Sequence, residues 1–271
     1  MHHDRNMNLF TKGTYSGNLD KSISDGYILA CTTSYEQNLA AEQMHCHENP
    51  HISFVLNGGS LEKRRNQEVE RLPGKITFYH SGEYHQSTKI IDSSRHINLE
   101  IEKSFLTEYK IEESTIDKII NRNNDAKFLL LRVYKELEIA DKRSAISIHM
   151  LLLDLINHSL PFYVKGKRPA WTIEIENIIQ NKWNEYLSLN DLSTAVNLHP
   201  VTISKMFHKY YSCTLGQYMR KLKIEKALTL IKKSNHSLTE IAFECGFADQ
   251  SHFIRTFKHM TGLLPQHYKK A

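Results

Sequence analysis

The stretch Ser237-Leu-Thr-Glu-Ile-Ala-Phe-Glu-Cys-Gly-Phe-Ala-Asp-Gln-Ser-His-Phe-Ile-Arg-Thr-Phe-Lys258 decides the fold of the last third of the chain. It reads as a short amphipathic helix capped by Ser237, a turn, and a second helix. Ala242 is small enough to let the two helices cross closely, and Gly246 supplies the turn between them. Asp249 is placed to cap the second helix, whose apolar stripe is Phe253, Phe257 and Met260 at i, i+4 and i+7. At about 100° per residue the opposite face carries Ser251, Arg255 and Lys258.

The same unit occurs 50 residues earlier, from Asp191 to Tyr210. Leu192 matches Ile241, Ile203 matches Phe253, and Phe207 matches Phe257, so the outward face is Val201, Lys205 and His208. Between the copies, Thr214 to Lys233 reads as one helix with Leu215, Tyr218, Met219, Leu222, Ala227, Leu228 and Ile231 buried. Thr214 suits its N-cap, and Lys232 and Lys233 suit the negative end of its dipole. Such a helix is about 27–30 Å long, against about 34 Å for one turn of B-DNA. A spacer of that length sets two recognition helices, about 200–209 and 250–259, in successive major-groove segments.

Here the chain resembles the AraC/XylS regulators. The matching residues are Leu215-Gly-Gln-Tyr-Met-Arg220, Lys223-Ile-Glu-Lys-Ala227, Glu240-Ile-Ala242, Gly246-Phe247, Ser251-His-Phe253, Arg255-Thr-Phe257-Lys258, and Gly262 with Pro265 near Tyr268. The resemblance runs from near Ile173 to Lys269, and it implies a sequence-specific transcription regulator, leaning towards activation. Its partners would be double-stranded DNA and RNA polymerase. Arg255 and Lys205 are the candidates for guanine edges. Thr202, Ser204, Gln250, Ser251 and His252 face other bases, with Val201 and His208 on the same outward side, and Lys209 and Lys258 are assigned to phosphates. One departure is His199, where a small polar cap is usual before the first recognition helix; Pro200 still fits the first helical position.

Charge distribution agrees with this reading. From Gly166 onward there are 15 Lys/Arg against 8 Asp/Glu, and before it 20 against 22, so the net +5 of the chain lies in the C-terminal part. With 271 residues there is room for two cores. The four cysteines are scattered at 31, 46, 213 and 245, which indicates neither a disulfide framework nor a zinc finger. No signal peptide and no membrane span are legible, so a cytoplasmic protein is expected.

From Tyr27 to about Ile101 the pattern is short and alternating, as in a small β-barrel or sandwich. Ile52 to Leu56 reads as a strand entering a tight turn at Asn57-Gly58-Gly59, with Leu61 to Val69 returning antiparallel. Arg71 to Lys75 is another turn, Ile76 to Tyr79 a strand, and His96 to Ile101 the last one. This half resembles the cupin-like sensor domains found ahead of AraC-type domains. His45-Cys-His47 with His51 corresponds to the first cupin motif, and Ser81-Gly-Glu-Tyr-His85 to the second. His51 stands where a Glu is usual, and His80 where a Pro is usual.

The resemblance makes His45, His47, His51 and His85 the candidate effector site. An organic small-molecule effector is favoured over a metal ion; if a metal binds, the same imidazoles hold it. No cofactor is expected, and the missing Glu ligand argues against a cupin enzyme. Helices are read at Ala126 to Ile139 and Ser144 to Leu160. The second is apolar on more than one face, which suits either a homodimer contact, as the resemblance implies, or a cap on the barrel. Pro161 and Lys165 to Pro169 read as a linker. The expected architecture is therefore α+β: a barrel over 1–105, helices over 106–162, a linker over 163–170, and an all-α domain with two helix-turn-helix units over 171–271.

Overall fold

The computed structural model describes residues 8–36, 43–64, 67–123, 125–163 and 169–271. Two compact units result, one reaching to Leu153 and the other comprising Asp154–Lys270.

The first unit is built on a curled sheet of β1 (Asn8–Phe10), β2 (Asn18–Ser24), β3 (Ile28–Tyr35), β4 (His45–His47), β5 (His51–Arg64), β6 (Gln67–Arg71), β7 (Ile76–Tyr79) and β8 (His85–Ile101). The order β1-β4-β8-β3-β2 places the long β8 centrally, with β5 also on β8 and β6 and β7 on β5. β3 is buried along nearly its whole length, because the helix α3 (Asp125–Ile139) lies against it. α2 (Glu113–Arg122) packs on β7, while α1 (Lys103–Tyr109) follows β8 directly.

Two expectations for this half change, and two strands go unread. Asn57-Gly58-Gly59 is not a hairpin turn; β5 runs straight through it, and the register against β8 slips there. The reason is steric. Gly58 sits at φ +69°, and a Cβ on it would lie 2.4 Å from the Ser93 carbonyl oxygen. The glycines therefore let two long strands coil around each other as a bulge, rather than reverse the chain. Likewise β8 begins at His85, not His96, because the polar segment Gln86–Arg95 is held by its ladder to β5 and not by hydrophobic alternation. β1 and β2 carry no legible strand signal at all, being mostly exposed edges.

A charged network is buried inside the sheet. Arg71 Nη1 donates to Glu62 at 3.3 Å, its Nη2 donates to Ser53 Oγ at 2.9 Å, and the Tyr79 hydroxyl donates to the same Glu62 carboxylate. α4 (Ser144–Tyr163) continues through Pro161, which the sequence reads as its end. Ile148 and Leu152 on it are buried, whereas Ile146 and Met150, one turn apart, are each 56% exposed. The linker read over Lys165 to Pro169 lies, up to residue 168, outside the described residues.

The second unit contains α5 (Ala170–Asn181), α6 (Leu189–Val196), α7 (Pro200–Tyr211), α8 (Leu215–Lys233), α9 (Leu238–Glu244), α10 (Gln250–Thr261) and α11 (Pro265–Lys270). Ile175 and Ile179 of α5 close a core with Leu192, Ile203, Phe207, Leu215, Met219 and Leu222. A second core forms around Ala242, Phe247, Phe253, Phe257 and Tyr268, with successive ring centroids 5.4–6.0 Å apart. Capping boxes start α6 (Ser188 with Asp191), α8 (Thr214 with Gln217) and α9 (Ser237 with Glu240). All four cysteines are buried thiols outside any disulfide. Among the described residues no helix is long and apolar enough to cross a membrane.

Candidate nucleic-acid interface and histidine cluster

α6 and α7 form the first helix-turn-helix unit, α9 and α10 the second, and α8 spans the gap between them. Its 19 residues correspond to about 28 Å. Each second helix keeps its cap. Asp249 accepts from the His252 amide at 2.7 Å, and His199 Nδ1 accepts from the Val201 amide at 3.3 Å. His199 thus does the work of the small polar residue it replaces, with Pro200 at the first helical position.

Nine of the eleven expected contact residues are exposed. Val201, Thr202, Lys205, His208 and Lys209 are exposed on α7, with Ser204 half-buried beside them. On α10, Ser251, His252, Arg255 and Lys258 are exposed. Gln250 is half-buried and its amide oxygen already accepts from Thr239 Oγ1 at 3.0 Å, which ties α10 back to α9. Lys209 Nζ lies 5.4 Å from the Tyr210 ring centroid, and the His252 ring meets Phe247 edge-on at 5.3 Å.

A feature the periodicity does not reveal is the grip on the second turn. Gly246 adopts φ +68°, the Lys223 ammonium of α8 donates to its carbonyl at 2.8 Å, and Asn184 donates to the Glu244 carbonyl at 3.3 Å. The loop after α5 and the spacer helix therefore both hold the second unit. α5 itself is also absent from the sequence reading, although Ser188-x-x-Asp191 was there to mark the next helix start.

Residues 192–271 match the model of a helix-turn-helix domain. The C-terminal unit carries an AraC-type helix-turn-helix domain. Over 93 residues the chain is 29% identical to the regulator GbdR of Pseudomonas aeruginosa, a match covering 34% of this chain and 25% of that one. It is 20% identical over 239 residues to the transcriptional activator RhaR of Mannheimia succiniciproducens, covering 83% and 86%. The crystal structure of an AraC-type regulator from Chromobacterium violaceum covers 37% of this chain and 89% of its own, at 21% identity and a TM-score of 0.36. Matches to the first curated relatives span only 25–44% of those relatives' length.

Upstream of the AraC-type domain, the curled sheet is consistent with a cupin-like domain. It gathers all four expected histidines at one end. β4 carries His45 and His47, β5 opens on His51, and β8 opens on His85, which pairs with His45. All four are buried. Ring centroids lie 4.4 Å apart for His45–His85 and His47–His51, 5.3 Å for His45–His47 and 5.4 Å for His47–His85. Phe10, Tyr15 and Tyr79 wall the cluster, Tyr79 stacking on His51 at 4.5 Å.

Burial and the neighbouring imidazoles push His47 and His51 down, His47 to about 3; burial and His45 push His85 to about 3 as well. These rings are neutral at neutral pH, with a lone pair to offer. His45 Nδ1–H donates to the Gln43 carbonyl at 2.9 Å and His85 Nδ1–H to the Glu83 carbonyl at 3.1 Å. A carbonyl only accepts, so in both rings the lone pair is on Nε2. The ligand atoms of His45, His47 and His85 all lie within 4.8 Å of one another. Such a donor set fits a borderline divalent cation, and its polar, aromatic walls also suit a small organic molecule.

Proposed function

We propose that the chain is an effector-responsive, sequence-specific transcription regulator of the cytoplasm, acting as an activator and without catalytic activity of its own. The observation that carries this reading is the pair of capped, outward-facing helices α7 and α10 held by one stiff spacer. Two such helices with basic outward faces suit successive major-groove segments of double-stranded DNA. The activator sense is supported by the likeness to a relative named an activator, and RNA polymerase is the partner that sense requires. The histidine cluster is the effector site in this reading. The exposed Ile146 and Met150 of α4 suit a homodimer contact, since adjacent apolar side chains on one helix turn gain from being covered.

The test is selection of bound sequences from a random DNA pool, followed by substitution. Arg255→Ala is expected to cost about 1–3 kcal/mol on the selected site and to relax preference at one base position. Lys258→Ala should weaken all sequences evenly and lower the slope of binding against salt by about one. If affinity and preference survive Arg255→Ala, α10 is not a reading helix.

A further inference from the structure

We propose that Thr239, on the first helix of the second helix-turn-helix unit, is a positioning residue for base recognition. It holds Gln250 as a donor-only reader, so that Gln250 selects a keto base, guanine ahead of thymine. The proposal rests on the regulator reading above and names the base that one of its contact residues takes.

Gln250 is the first residue of α10, and the N-terminal residues of a recognition helix are the ones that reach base edges. Its backbone is fixed by the Asp249 cap, which accepts from the His252 amide at 2.7 Å. Its side chain is fixed from α9, where the Thr239 hydroxyl donates to Gln250 Oε1 at 3.0 Å. Among the described residues, the side chains of Ser251, Arg255 and Lys258 have no such hydrogen bond within the chain. Gln250 is therefore singled out on this helix. Thr239 is exposed, so its hydroxyl is not needed to fill a core.

A glutamine amide carries acceptor lone pairs on Oε1 and two hydrogens on Nε2. Left free, it pairs with adenine through both ends, Oε1 accepting from N6–H and Nε2 donating to N7. Here the Thr239 proton occupies Oε1 and turns it toward α9. The end left for DNA is Nε2, whose hydrogens no acceptor among the described residues takes. Two donors match the O6 and N7 acceptors of guanine, and one of them matches O4 of thymine. At N6 of adenine and N4 of cytosine they meet another donor, and a donor set against a donor forfeits its bond.

The internal repeat locates the device in one unit. The residues 50 positions earlier are Leu189 and Pro200. Leu189 packs on the core of the first unit, and Pro200 has no side-chain donor or acceptor. The keto preference therefore belongs only to the DNA segment that α10 reads.

The experiment selects bound sequences from a random DNA pool with the full chain and three variants. Gln250→Ala identifies the base position by relaxing it, and in the wild type that position is expected to be guanine or thymine. Thr239→Val removes the hydroxyl at nearly constant shape and frees Oε1, so adenine there should gain about tenfold over guanine. Thr239→Ser keeps the hydroxyl and should keep the wild-type preference. A role for Thr239 in folding alone would weaken all sequences without exchanging one base for another. Adenine or cytosine at the Gln250 position of the wild type overturns the proposal, as does a site at which Gln250→Ala relaxes nothing. Wild-type preference in Thr239→Val, or a Thr239→Ser chain that behaves like Thr239→Val, overturns the part given to the hydroxyl. A wild-type chain that selects no sequence at all brings down the regulator reading, and this proposal with it.

Discussion

Gly246→Ala should unfold the second helix-turn-helix unit or leave it severely weakened, at a cost of about 3 kcal/mol or more. Two effects add. The residue holds φ +68°, which an L side chain adopts with strain, and a Cβ there would lie 1.8 Å from the Asn184 carbonyl oxygen. The loop after α5 that carries Asn184 cannot retreat cheaply, because Asn184 also donates to the Glu244 carbonyl and the Lys223 ammonium caps the Gly246 carbonyl. Both tryptophans of the chain, Trp171 and Trp183, pack on the core of the first helix-turn-helix unit. Tryptophan fluorescence in urea therefore reads the AraC-type domain and not the sheet. A variant with wild-type urea midpoint and wild-type DNA affinity would show that the turn tolerates a side chain, against the packing described.

Arg71→Met should cost about 3–5 kcal/mol, because it leaves the Glu62 carboxylate buried beside only the Tyr79 hydroxyl. The loss should appear as faster amide exchange along β5 and β8, with the tryptophan signal of the other unit little changed. The double variant Glu62→Met with Arg71→Met should recover much of the stability, since removing both charges also removes the desolvation cost. Exchange rates in Arg71→Met equal to those of the wild type would refute the network as a structural element.

These two sites differ in how far a reader of the sequence can see them. The turn at Gly246 is legible because Ser237, Ala242, Gly246 and Asp249 each act on near neighbours, through caps, a close crossing and a left-handed residue. The Arg71 network is not legible, since Glu62, Arg71, Tyr79 and Ser53 meet only through strand pairing. The same contrast explains the misread glycines. Asn57-Gly58-Gly59 has the composition of a hairpin turn, and only the approach of Ser93 from β8 makes it a bulge.

What the sequence by itself determined is the pair of helix-turn-helix units, the helix between them and the outward faces of α7 and α10. Helical periodicity and capping are local, so residues within a few turns decide them. Its resemblance to the cupin-like motifs also pointed to the four histidines. Tertiary structure alone decided that His51 and His85 close on His45 and His47, that Glu62 meets Arg71 and Tyr79, and that Asn184 and Lys223 grip the second turn. Those outcomes depend on groups brought together from distant parts of the chain, where pairing register and burial, not local pattern, set the partners.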